Sequence, residues 1–151
     1  MLESDLLSPG RIVAGASFNS KKRLLEFISL TLAKKNPELD AREIFESLCA
    51  RENLGSTGLG KGVAIPHGRA GGIEGAEGLF LQLSKPISFD AYDGQEVDLI
   101  YALGLPMKCS EEHSKLLSSI SERFSDEDFQ QSLRQAMDAS EVWQVISDAD
   151  K

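Results

Sequence analysis

The chain has 151 residues, enough for one compact domain that buries roughly two thirds of its unfolded surface, and it needs no second domain. Apolar residues make up 41% and charged residues 26%, as in ordinary globular proteins, and no apolar run approaches the roughly 20 residues that span a bilayer. With 24 acidic and 16 basic residues the net charge is −8, which disfavours nucleic acid as a partner unless basic residues gather in a patch.

The first residues, MLESDLLSPGRIV, lack the basic start and continuous apolar stretch of a secretory signal, so a cytoplasmic location without membrane insertion is expected. Lys21, Lys22 and Arg23 come nearest to a basic patch, but they read as the start of an amphipathic helix, a solvated face or a partner contact. Ser20 is placed to cap that helix, Leu24, Ile28 and Leu32 share one face, and Asn36 with Pro37 stops it after about Lys35. Asp40 with Glu43 resembles a capping box for a second helix, whose stripe of Ile44, Phe45 and Leu48 runs to about Glu52. Cys49 on this helix reads as a small buried hydrophobe. Cys49 and Cys109 are the only cysteines, and neither they nor the two histidines have the spacing of a metal site.

Residues 55–68 then break helical periodicity with five glycines in 14 residues. GVAI, before Pro66, reads as a short strand, because a residue preceding proline avoids helix. GGIEGAEG, residues 71–78, reads as a mobile surface loop. LFLQL at 79–83 and VDLIYAL at 97–103 read as strands, the second apolar enough for a central place in a sheet, with Asp93-Gly94 marking a tight turn between them. Asp90, Asp93 and Asp98 invite an acid–base reading, but turn chemistry accounts for Asp93 and strand alternation places Asp98 outward. The last third is helical: Ser110 precedes a helix with Leu116, Leu117, Ile120 and Phe124, Ser125 one with Phe129 and Leu133, and Ser140 a final turn with Val142, Val145 and Ile146. Helices flanking strands at both ends predict a single α/β domain with helices packed on a mixed sheet.

The chemistry concentrates in GSTGLGKGVAIPHGRA, residues 55–70. Gly55, Gly60 and Lys61 satisfy the start of a P-loop pattern, but Gly62 stands where magnesium needs Ser or Thr, and Gly58, Gly60 and Gly62 miss the dinucleotide spacing. A P-loop follows a strand and opens a helix, whereas here a helix precedes the glycines and a strand follows them. The alternative is a set of backbone and hydroxyl donors at Gly55, Ser56, Thr57 and Gly58, between Arg51 and His67, that serves an anion. The planar fork of Arg51 suits phosphoryl oxygens, and His67, stiffened by Pro66 and given space by Gly68, suits a nucleophile that is neutral at physiological pH. His113, in the first turn after Ser110, stands where a helix N-terminus favours the neutral ring, although a surface histidine on a helix is commoner than a catalytic one.

The stretch RENLGSTGLGKGVAIPHGRA, residues 51–70, resembles the active-site signature of the enzyme IIA components of the bacterial phosphotransferase system, in the fructose and mannitol superfamily and its nitrogen-related branch. SKPISFDAYDGQEVDLIYALGLP at 84–106, EEHSKLLSSISERFSDEDF at 111–129 and SKKRLLEFIS near the start extend the resemblance over almost the whole chain, so it implies one such domain over residues 1–151. It implies a mixed five-stranded sheet with helices on both faces. It also implies His67 as phosphoryl acceptor, Arg51 steadying the group, Ser56 and Thr57 as surrounding donors, and His113 as an assisting histidine. The implied donor is a histidine phosphocarrier protein, with no cofactor or metal. The isolated domain and the wording FDAYDGQEVDLIYALGLP favour a regulator acting on target proteins. The alternatives are a sugar-specific transport component that passes its phosphoryl group to a IIB domain and a module that binds an anion or nucleotide. The loop GGIEGAEG is more glycine-rich than the family pattern.

Overall fold

A computed structural model describes residues 6–7, 9–34, 36–108 and 110–149. Lys35, the expected end of the first helix, and Cys109 lie outside them. Helix α1, Lys21–Lys34, begins where Ser20 Oγ accepts the Arg23 N–H at 3.2 Å. It buries Leu24, Leu25, Ile28 and Leu32, and the chain turns at Asn36, whose side-chain oxygen accepts the Glu38 N–H. Helix α2, Ala41–Leu54, is capped by Asp40, which accepts the Arg42 N–H at 2.9 Å. Glu43 serves elsewhere than in a capping box, accepting the Gly71 N–H at 2.9 Å and so fastening the start of the glycine-rich loop. Ile73 in that loop is 6% exposed and belongs to the core. Cys49 is half-buried against the same core, and its burial pushes the thiol above its ordinary range.

The sheet contains β1 (Ile12–Ala16), β2 (Gly58–Gly60), β3 (Val63–Ala64), β4 (His67–Ala70), β5 (Glu77–Ile87) and β6 (Val97–Pro106). Its order is β1-β5-β6-β3-β2, with β4 also on β6. The β5–β6 and β2–β3 pairs are antiparallel, and the remaining pairs are parallel, so the sheet is mixed as expected. The expected count of five becomes six because one lane is broken. Val63 faces Leu99 and Ala64 faces Ile100, then His67 resumes the same register opposite Leu103. Pro66 lies in the gap; it has no N–H to give the ladder, although its carbonyl still accepts the Leu103 N–H at 3.0 Å.

Both faces are covered, which is why the strands read as near-continuous apolar runs. Leu79, Leu81, Ile100 and Ala102 pack under α1 and α2. Phe80, Leu99, Tyr101 and Leu103 pack under α3 (Glu111–Phe124), α4 (Glu127–Gln135) and α5 (Ala139–Ala149). The caps of the last two helices differ from expectation: Asp126, not Ser125, accepts the N–H groups of Asp128 and Phe129, and Asp138, not Ser140, accepts that of Glu141. A carboxylate, one residue later than expected for α4 and two residues earlier for α5, takes the capping role in each case. Asp98 is not turned fully outward. It is half-buried and held by Arg134 of α4 through Nε and Nη2 at 3.0–3.1 Å, and Arg134 Nη2 also donates to the Lys61 carbonyl at 2.7 Å.

That clamp explains the letter that spoils the P-loop pattern. β2 and β3 form a hairpin whose two turn residues, Lys61 and Gly62, have φ of 57° and 85°, the mirror-image geometry that tight hairpins use. A Cβ on Gly62 would lie 2.5 Å from Arg134 Nη2 and 2.9 Å from Asp98 Oδ1. Any side chain there would have to push the Arg134–Asp98 pair aside and would also be strained at a φ of 85°.

Candidate functional site

His67 is the first residue of β4, and the approach of β4 to α2 places it. A Cβ on Gly68 would stand 3.0 Å from the Leu48 nitrogen, and the Arg69 N–H donates to Ser47 Oγ at 2.7 Å, so glycine lets the strand lie directly against the helix. The half-buried ring turns Nδ1 back onto the chain, 2.9 Å from the Ile65 carbonyl oxygen. A carbonyl only accepts, so Nδ1 carries the hydrogen, and in the neutral ring Nε2 keeps its lone pair.

Burial is the main cause that holds the His67 ring below the ordinary histidine range, and the Arg51 and Arg69 guanidinium groups add to it. The Ile65 hydrogen bond and the Glu52 carboxylate oppose them without reversing the direction. An unfolded histidine takes up its proton near about pH 6.5 and the folded one only at lower pH. Below about 6.5 the unfolded state therefore binds more protons, and stability falls as pH decreases through that window. Denaturant unfolding at about pH 7.5 and about pH 5.5 should show wild type losing more stability than His67→Gln. Equal losses would mean that the ring does not titrate below its ordinary range.

Two cavities meet at this ring. One, of about 280 Å³, is bounded by Arg51, the turn from Ser56 to Leu59, Ile65 and Leu117; the other, of about 430 Å³, runs between α2 and β4 past Arg51, Leu54 and Arg69. Arg51 lines both, with Nη1 pinned on the Gly55 carbonyl at 2.8 Å. Arg69 escaped the sequence reading. Its signal was its spacing: two residues after His67 on a strand, it projects to the same side.

The turn at 55–58 differs from the open set of donors expected of it. Ser56 Oγ donates to the Phe89 carbonyl at 2.7 Å and accepts the Gly58 N–H at 3.0 Å. Thr57 gives both its N–H, at 3.2 Å, and its hydroxyl to the Glu52 carboxylate, while the Gly55 N–H closes α2 on the Glu52 carbonyl at 3.1 Å. These donors hold the turn in shape and leave the arginines as the charged walls. Glu52 also takes Lys21, so that residue is no part of a solvated basic face.

His113 lines a third cavity, of about 380 Å³, between the start of α3 and residues 74–76. Its backbone N–H bonds to the Ser110 hydroxyl at 3.4 Å, while its Nδ1 is shielded from solvent and has no hydrogen-bond partner among the described residues. It stands one helical turn before Leu117, which lines both cavities at His67. Among the described residues, no group of three or more His, Cys, Asp or Glu side chains is disposed to hold a metal ion, and no helix is long and apolar enough to cross a membrane.

Residues 5–149 match the family described as phosphoenolpyruvate-dependent sugar phosphotransferase system, EIIA 2, and the chain belongs to that family. Its relatives narrow the class to the nitrogen-related branch. The nitrogen regulatory protein of Pseudomonas aeruginosa is 43% identical over 143 residues, which cover 95% of this chain and 93% of that protein. That of Escherichia coli is 43% identical over 135 residues, or 87% and 80% of the two chains. The crystal structure of nitrogen regulatory protein IIA-Ntr from Neisseria meningitidis superposes with a TM-score of 0.88 at 41% identity, covering 95% of this chain and 97% of that one. The IIA mannitol protein of Escherichia coli, at 21% identity and a TM-score of 0.77 over 93% and 98% of the two chains, shares the fold.

Proposed function

We propose that the protein is a cytoplasmic regulator that takes a phosphoryl group onto His67 Nε2 from the phosphohistidine of a histidine phosphocarrier protein. The observation that carries this reading is the bond from Nδ1–H to the Ile65 carbonyl, which leaves Nε2 as the nucleophilic nitrogen of a half-buried ring flanked by two guanidinium groups. In the transfer the lone pair of Nε2 forms a bond to phosphorus while the donor's nitrogen–phosphorus bond breaks, and its electron pair returns to the donor imidazole. The proton stays on Nδ1, donated to the Ile65 carbonyl throughout, so no separate base is required. Arg51 and Arg69 offset the charge spread over the phosphoryl oxygens, which is most of what such a transfer asks of a protein. Gly55, Ser56 and Thr57 shape the wall of the site, and His113 assists from the start of α3.

The modification adds roughly −1.5 to −2 charge beside a ring whose neighbours are cationic, on a chain already at −8. A target that buries the rim around His67 loses affinity for the modified form, and this makes phosphorylation a switch. The test is a pull-down with unmodified and His67-phosphorylated protein side by side. Targets recovered preferentially with one form support regulation; recovery of a IIB protein that takes the phosphoryl group from His67 would overturn it in favour of sugar transport.

A further inference from the structure

The turn beside His67 is held by a buried ion pair that the transfer step itself does not use. The Glu52 side chain, in the last turn of α2, is only 5% exposed, and its Oε1 lies 2.8 Å from Nζ of Lys21 at the start of α1. The same oxygen accepts the Thr57 N–H, and Oε2 accepts the Thr57 hydroxyl. Lys21 also donates to the Phe89 carbonyl at 3.2 Å, with its ammonium 4.2 Å from the centre of the Phe89 ring. Each charge thus has several partners, the condition under which a buried pair withstands desolvation.

From Thr57 the contacts continue to the nucleophile. The Thr57 carbonyl accepts the Ile65 N–H at 3.1 Å, and the Ile65 carbonyl accepts Nδ1–H of His67 at 2.9 Å. The Glu52 carboxylate therefore reaches the imidazole through two residues of fixed backbone as well as through space. We infer that Glu52 is a positioning residue for His67, acting through Thr57 and Ile65 to hold the ring in its Nδ1–H tautomer with Nε2 unprotonated, and that Lys21 is its fixed counter-ion. Its effect on transfer rests on His67 being the phosphoryl acceptor; its effect on the tautomer does not. An adjacent consequence concerns Thr57, whose hydroxyl proton is committed to Glu52 and is not offered to a phosphoryl group.

Glu52→Gln preserves shape and removes the charge, while Thr57→Val removes the hydroxyl and leaves the ion pair. The readouts are the imidazole nitrogen shifts of His67 by NMR in the unmodified protein, and kcat and KM for phosphoryl transfer from the phosphocarrier. Both variants should move the tautomer population toward Nε2–H and lower kcat about tenfold, with KM changed less than about twofold, because alignment and not docking is disturbed. Glu52→Gln should also lower the titration midpoint of the ring, since the carboxylate opposes the two arginines. Glu46→Gln, which removes an exposed carboxylate from the same helix, should leave every readout at its wild-type value. A folded variant with the wild-type tautomer, or with wild-type kcat, overturns the proposal, and Thr57→Val decides it alone if Glu52→Gln does not fold. Should wild type accept no phosphoryl group, the acceptor reading fails while the nitrogen shifts still decide the role of Glu52.

Discussion

Incubated with phosphoenolpyruvate, enzyme I and phosphocarrier, the wild-type chain is expected to gain one acid-labile, base-stable phosphoryl group, and His67→Ala to gain none. The lability follows from the nitrogen–phosphorus bond, which breaks when the ring nitrogen or the phosphoryl oxygens are protonated and survives in base. The loss should be complete, because no neighbouring group can replace the nucleophile. Ser56 and Thr57 have committed their hydroxyl protons, and the guanidinium groups of Arg51 and Arg69 stay charged at any working pH. His113 is the only other histidine, and it lines a different cavity. Persistent label in His67→Ala would therefore move the acceptor to His113 and overturn the assignment. In His113→Ala the label should still reach His67 but more slowly; an unchanged rate would reduce His113 to a structural residue of α3.

What could be read in the chain before its structure depended on whether the governing contact was local. The motif around His67 was legible because stiff proline, permissive glycine and nearby arginine lie within a few letters of one another. The helices α1 and α2 were legible from their stripes and from Ser20 and Asp40. Strand β1 was not, since IVAGA has small residues where a strand signal needs bulk, and its pairing with β5 is settled by residues far along the chain. β4 was equally silent: His-Gly-Arg-Ala reads as loop, and only the ladder to β6 extends it.

The same division runs through the site. Ser56 and Thr57 look like free donors until Glu52 and Phe89 are brought to them, and Glu52 looks solvated until Lys21 arrives from another helix. Gly62 looks like damage to a nucleotide loop until Arg134 and Asp98 fill the space a side chain would need. Local sequence thus named the candidate nucleophile and one cation beside it, while tertiary contacts decided which donors remained available to an anion.

Phe124→Ala is expected to be the most damaging single substitution in the core, by about 3–5 kcal/mol. The ring is fully buried at the end of α3 and has aromatic neighbours on three sides: Phe80 of β5 at 5.9 Å between ring centres, Tyr101 of β6 at 5.5 Å and Phe129 of α4 at 5.0 Å. Those neighbours belong to three different elements, so the void cannot close by a shift of any one of them, and the aromatic contacts are lost along with the burial. For a chain of this size the melting midpoint should fall by roughly 6–20 °C, whereas Met137→Ala, at a position 84% exposed, should move it by little. A fall of less than about 2 °C in Phe124→Ala would show that the helical face repacks around the gap. The site provides a second reading of the same variant. His67 is seated by β4, β6 and α2 and bordered on the α3 side by Leu117 and Ser121, whereas the lost ring contacts are to Phe80, Tyr101 and Phe129, none of which lines its cavities. Well below its midpoint, the variant should therefore still label at His67, with transfer slowed far less than in His67→Ala, separating stability of the face from chemistry at the ring.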